Sequence, residues 1–532
     1  MGIEFRLKKL EKKVLAYIVI VVISISTLTL TYIYSQMIES SIANIGRYSD
    51  VELSCKRLNN VPRNIVLLIG DGMGYSHFYV LQLVYGYSNM TLLFNNVGIA
   101  FTSALDNVVP DSAGAGTAIA TGFKTLNRMI SMIEINGREI PVPTVLELAK
   151  WLGMSVGVVT TTRVTHATPA AFTAHVPHRD MENEIAVQQI ALEVDVILGG
   201  GRRFYTQDLI SEARKRGYTV VFNRSQLLNI DPTRTRRLLG LFAESHLPYV
   251  LDRGPEVPSL IEMTAKAIEV LEKNPCGFFL MIEGGRIDHA AHSNDIASVV
   301  AETKEFDDVV GFVVSYARSR GDTLVIVTAD HETGGLTIGL GVEIPTNIDR
   351  ILTVRASAEK IASEIRRVGA VREVKDLVYR YTALNISDDD ATTMLLDPTP
   401  STVGRTLSKY FGILWSSTDH TAEPVPVLAY GPGATIFSGV YHQTYIAKMI
   451  ARLMVLGERV SLSYMSAKSP TRGDLNGDGI MDVNDIAMAI YLVGRYVNDH
   501  DKVADMNLNG VIDLEDIYIM TQQISQVLKP RS

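Results

Sequence analysis

Cysteine is nearly missing from this 532-residue chain, which has two. That excludes a disulfide-stapled scaffold and any multi-cysteine zinc or iron–sulfur site. An excess of positive charge is missing as well. Fifty lysines and arginines face 58 acids, for a net charge of −8, so the basic footprint of a nucleic-acid scaffold is absent. Glycine (40) and proline (19) stand at ordinary levels, which excludes collagen-like and Pro-rich chains. What is present is apolar: 47% of the residues, against 20% charged. A chain of that composition folds around a large core. At ~100–200 residues per domain it holds two or more units. The acid excess is local, because residues 473–529 hold ten acids and three bases.

The N-terminus reads as an export or anchor segment. Arg6, Lys8, Lys9, Lys12 and Lys13 precede an apolar run from Val14 to Tyr34. Its length is close to the ~20 residues that cross a bilayer. Basic residues ahead of the run keep that end in the cytoplasm and send the rest outside. An uncleaved signal anchor is favoured over a cleaved signal peptide ending near Ser41-Ile42-Ala43. Both readings put the protein outside the cytoplasm, where Cys55 and Cys276 could oxidise; the sequence leaves their pairing open. Asn89, Asn223 and Asn385 open three formal glycosylation triplets, which are weak signals.

The middle of the chain alternates short apolar runs with helical patterns, as in an α/β fold with a mostly parallel sheet. Asn64–Ile69, 277–282 and Thr323–Thr328 read as buried strands, and 155–160 and 195–198 as two more. The first three deliver Asp71, Glu283 and Asp330 just past their carboxyl ends, the edge where such sheets bind ligands. One such acid reads as a cap or turn former. Three, with histidines close behind, favour a metal cluster. Asp288 and His292 are four residues apart, so on a helical turn they share a face and can hold one ion. Asp330-His331 is a second pair, and His420 an isolated candidate that on its own reads as an ordinary surface or packed histidine. Nitrogen and carboxylate ligands without cysteine suit zinc, and an all-oxygen subset suits magnesium.

Asp111-Ser112-Ala113-Gly114-Ala115-Gly116-Thr117 offers a nucleophile. Its small residues let a helix start close to whatever Ser112 faces, and helix N-terminal amides attract phosphate. Taken alone, a close-packed helix start capped by Asp111 or Ser112 is the simpler reading. Arg179 could form a bidentate clamp on phosphate; taken alone, it reads as a surface arginine.

Together these motifs resemble the alkaline phosphatase family. The landmarks run in order: 69–74 (IGDGMG), 111–113 (DSA), 166–169 (HATP), 283–289 (EGGRIDH), 328–331 (TADH) and 419–421 (DHT). The resemblance implies a three-layer sandwich and hydrolysis of phosphomonoesters through a phosphoserine. It implies two zinc ions and one magnesium. Asp288, His292 and His420 match the ligands of the first zinc; Asp71, Asp330 and His331 match those of the second. Asp71, Thr168 and Glu283 match the magnesium site, with Asp71 bridging. Ser112 matches the nucleophile and Arg179 the phosphate clamp. His166 and His289, neighbours of the third site, stand where one well-known bacterial form has Asp and Lys; other members resemble this chain at both. His166 could admit zinc or cobalt at the third site.

The C-terminus carries a second signal. Asp474, Asn476, Asp478, Asp482 and Asp485 fall at positions 1, 3, 5, 9 and 12 of a loop with Gly479 at position 6, the calcium-loop spacing. Asp505, Asn507, Asn509, Asp513 and Asp516 repeat it around Gly510. Position 12 is Asp both times, and no entering helix precedes Asp474. Paired loops of this type resemble a dockerin, which implies two calcium ions and a cohesin-type partner. Val483/Asn484 and Leu514/Glu515 occupy its partner-choosing positions, so the partner class is open.

The expected organisation is a basic tail and anchor at 1–36, a linker at 37–63, and a catalytic domain at 64–460. A second linker at 461–472 and a small all-α dockerin-like domain at 473–532 follow. Residues 344–415 read as a surface insertion with no chemistry; a lid or a homodimer contact are the other readings. Expected partners are a phosphomonoester, inorganic phosphate and, through the N-terminal helix, a membrane. Two rival functions make different demands on the sequence. A phosphodiesterase or nucleotide pyrophosphatase on the same scaffold would more often use Thr and lack the Asp71/Thr168/Glu283 trio. A non-catalytic surface docking protein would show decayed metal ligands.

Overall fold

The structure is a computed structural model that describes residues 61–456, apart from Asn136 and residues 340–347, and isolated positions between 473 and 520. Its centre is a ten-stranded sheet. From one edge to the other run Gly439–His442, Asn96–Phe101, Val425–Tyr430, Thr323–Thr328, Asn64–Ile69, Phe278–Glu283, Ser155–Arg163, Val196–Gly200, Arg237–Leu241 and Tyr218–Val221. Every neighbouring pair is parallel except the two made by Val425–Tyr430, which runs against both neighbours. The three central strands are buried along their whole length. That requires cover on both faces and explains their unbroken apolar runs.

The register aligns the ends of these strands. Ile69 pairs with Thr328 on one side and Glu283 on the other. Three consecutive carboxyl ends therefore lie side by side, and each chain passes at once into an acid-bearing turn. Cys276, two residues before the Phe278–Glu283 strand, is disulfide-bonded, and Cys55 lies outside the described residues.

Helices then carry the remaining groups to this edge. Asp111 caps Ser112–Thr121 by accepting the Gly114 amide at 2.9 Å, as its small-residue run predicts. That helix is buried throughout and packs against Ala167–Thr173; a Cβ on Gly116 would stand 3.2 Å from the Ala171 methyl. Arg286–His292 leads into the 25-residue helix Ile296–Arg320. Among its described residues the insertion holds four α-helices: Ala358–Ile365, Val371–Thr382, Asp388–Leu396 and Pro400–Ser408.

Among the described residues no helix is long and apolar enough to cross a membrane; the 14–34 run lies outside them. Of the proposed calcium ligands, Asp474, Asn476, Asp478, Asp482, Asp505, Asn507, Asn509 and Asp513 also lie outside them. Asp485 and Asp516, the twelfth position of each loop, are described. Both are buried, and Asp516 accepts the Met506 amide at 2.6 Å.

Candidate metal and phosphoryl-transfer site

The sheet edge brings together the residues singled out in the sequence. Three groups lie close enough to hold a metal ion, with the ligand atoms in each within 4.8 Å of one another: Asp288/His292/His420, Asp71/Asp330/His331 and Asp71/His166/Glu283. Asp71 belongs to two of them. Close approach depends on Gly72, whose φ is +72° and where a Cβ would stand 2.8 Å from the Asp288 backbone.

The first group comes from one helical turn and a distant loop. His292 Nε2 lies 3.3 Å from Asp288 Oδ1 and 3.2 Å from His420 Nε2. The other ring nitrogens are committed: Nδ1 of His292 to the Thr418 carbonyl at 2.5 Å, and Nδ1 of His420 to the Pro110 carbonyl at 2.8 Å. Each Nδ1 thus faces a backbone carbonyl and each Nε2 faces the group, the arrangement of metal-ligating histidines. The Pro110 contact also ties His420 to the turn that presents Ser112. In the second group, His331 Nε2 lies 3.2 Å from Asp330 Oδ2 and 3.6 Å from Asp71 Oδ1.

In the third group, Glu283 accepts from Thr160, and from Thr162 at 2.9 Å. Thr168 stands 3.5 Å from Asp71 Oδ2. His166 takes a direct place beside Asp71 and Glu283, and Arg179 reaches its Nε2 at 3.1 Å. His289 lies one layer out. Its ring centre is 5.5 Å from that of His166 and 4.3 Å from that of His246.

Ser112 is buried at the junction, its Oγ 3.2 Å from His331 Nε2. Arg179 points the same way, held by Asp111 at 2.9 Å. Burial alone would raise the Asp111 carboxyl. Arg179 and the amides of Arg128 and Gly114 outweigh it and keep Asp111 below the ordinary range.

The donor set fits metal ions. Asp71 Oδ1, Glu283 Oε1, Asp330 Oδ2 and His166 Nδ1 are buried with no hydrogen-bond partner, and such atoms are costly unless something pairs with them. Burial and then the neighbouring carboxylates push Asp71 well above the usual range and Asp330 up to about 8. Divalent cations reverse that repulsion.

Sequence reasoning missed His246 and the pair Thr160/Thr162. The threonines had a signal, a hydroxyl run ending an apolar strand. His246 had none, because its partners Arg163, His166 and His289 are remote in the chain.

Comparison with known proteins bears on the family and the fold. The family model for alkaline phosphatase matches residues 62–456. Alkaline phosphatase 4 of Bacillus subtilis is 35% identical over 451 residues, spanning 79% of this chain and 96% of the relative. The crystal structure of a cold-active alkaline phosphatase from the psychrophile Shewanella sp. is 34% identical, with a TM-score of 0.66, and covers 73% of this chain and 99% of its own. That of the Thermus thermophilus alkaline phosphatase is 29% identical, with a TM-score of 0.69, covering 77% and 94%.

Proposed function

The chain belongs to the alkaline phosphatase family, and from that premise we propose that it hydrolyses phosphomonoesters to an alcohol and inorganic phosphate through a phosphoserine at Ser112. The observation that carries this reading is Asp71, a buried carboxylate shared by two metal-capable groups at the edge where Ser112 emerges. Asp288/His292/His420 and Asp71/Asp330/His331 would each hold a zinc ion. Asp71, Glu283 and Thr168, with His166, would hold magnesium or a substitute. Bound there, the metals would lower the Ser112 pKa and offset charge on the phosphoryl oxygens.

The protein's own groups do the rest. Arg179 binds two phosphoryl oxygens and orients the ester, while Asp111 keeps the guanidinium aimed. Ser112 Oγ attacks phosphorus, the bond to the ester oxygen breaks, and the Ser112 proton ends on the departing alcohol. Water then breaks the phosphorus–Oγ bond, releasing phosphate and restoring the hydroxyl.

The docking and location readings are proposals too. The repeated acid spacing at 474–485 and 505–516 supports a two-calcium dockerin-like module with a cohesin-type partner. The basic-then-apolar N-terminus and the disulfide at Cys276 support an anchored protein outside the cytoplasm.

The test is hydrolysis of a chromogenic phosphomonoester beside its phosphodiester, after chelation and then zinc and magnesium add-back. Metal-restored monoesterase activity well above diesterase activity is expected. Diesterase preference would overturn the substrate assignment.

A further inference from the structure

Asn294 lies two residues beyond His292, is fully buried, and has a φ of +48°. A left-handed conformation at a non-glycine residue is uncommon and needs local support. Here the support is complete. The Asn294 Nδ2 group donates to the Ala291 carbonyl at 2.9 Å and the Ser417 carbonyl at 2.8 Å. Its Oδ1 accepts from Arg405 Nε at 3.0 Å, and its own carbonyl accepts from Ser408 Oγ at 2.8 Å. One side chain thus joins three segments.

Two of them carry the first metal group. Ala291 belongs to the helix of Asp288 and His292, and Ser417 begins the loop that ends in His420. Between Ser417 and His420 lies Thr418, whose carbonyl fixes the His292 ring. The Asn294 amide therefore sets how closely the His292 helix and the His420 loop approach. The third segment is the insertion helix Pro400–Ser408, expected from sequence to carry no chemistry. It lies hard against this turn: a Cβ on Gly404 would stand 2.2 Å from the Ser293 carbonyl. The insertion is anchored again where Ser357 and Ala358 donate to Asp252 and Asp295.

We propose that Asn294 is a positioning residue for the Asp288/His292/His420 metal group, and that the insertion, through Arg405 and Ser408, holds Asn294 in place. This rests on the metal-site reading above. Groups that orient metal ligands typically change metal affinity by about 10–100-fold when removed. Asn294→Gly is the sharpest variant, because glycine tolerates the positive φ and loses only the side-chain bonds. Arg405→Ala probes the insertion from an exposed position.

The full chain, stripped of metal, is titrated with zinc against a chromophoric chelator. His292→Ala identifies the binding step that belongs to the first group. Asn294→Gly is expected to weaken that same step by about tenfold or more, and Arg405→Ala to weaken it by a smaller factor. The other steps and the metal-free melting temperature of Arg405→Ala stay as in the native protein. Native affinity in both variants would overturn the proposal, and so would equal weakening at every step. If Asn294→Gly does not fold, Arg405→Ala decides by the same criterion. If His292→Ala removes no zinc step, the metal-site reading itself has failed, a result distinct from native-like binding in Asn294→Gly.

Discussion

Arg179 shows what a single residue contributes at this site. One guanidinium nitrogen is held by Asp111 and the other lies beside His166, so the fork is aimed before substrate arrives. Lysine would keep the charge but lose the two-pronged geometry. Arg179→Lys is expected to raise KM roughly tenfold or more, since hydrogen bonds to charged groups contribute about 1.5–3 kcal/mol. Steady-state kinetics with one monoester checks this; an unchanged KM would remove Arg179 from phosphate binding. Ser112 was legible because it sits in a short motif that carries the family resemblance; Arg179 lies outside those motifs and was singled out by its fork geometry and the resemblance as a whole. Asn294 was not. Its meaning lies in Ser417, Arg405 and Ser408, more than a hundred residues on, and no local pattern encodes those contacts.

Secondary-structure elements were legible where burial is complete. The strands Asn64–Ile69 and Thr323–Thr328 match their apolar runs residue for residue, because a strand covered on both faces has no polar alternation to blur its ends. The 155–160 run extends to Arg163 because Thr161 and Thr162 continue the strand past its apolar part, Thr162 donating to Glu283. Asn96–Phe101 and Gly439–His442 escaped, the first half exposed and the second a four-residue edge strand.

The helix Val145–Trp151 shows an element held by a titrating pair. Glu147 completes its capping box and also meets His175 at 3.0 Å. Burial opposes both charges, yet the pair prevails: His175 lies above its ordinary 6.5 and Glu147 below its ordinary 4.5. The histidine's contribution is full below pH 6.5 and lost as pH rises through its folded value. The glutamate's is full above pH 4.5 and lost as pH falls through its folded value. The melting-temperature gap between the native protein and His175→Gln should therefore be widest between pH 4.5 and 6.5 and shrink on both sides. Thermal melts of chelator-treated protein test this, and a gap independent of pH would contradict it.

At the scale of the molecule, the sheet is an instrument of alignment. Three parallel strands in register end side by side, and a loop more than a hundred residues further along the sequence completes the first metal group with His420. The order of strands could not be read from the sequence, since hydrophobic runs specify strands and not neighbours. The role of the insertion was hidden for the same reason. Its helices look like surface additions, yet one of them abuts the turn beyond His292.

The central claim is that phosphate passes through Ser112. The most direct measurement is acid quench of the metal-loaded protein during turnover, followed by peptide mass mapping. Phosphate is expected on the peptide that contains Ser112, and none is expected in Ser112→Ala protein that still binds its metals. Phosphate on a different residue, or its persistence in that variant, would contradict the account.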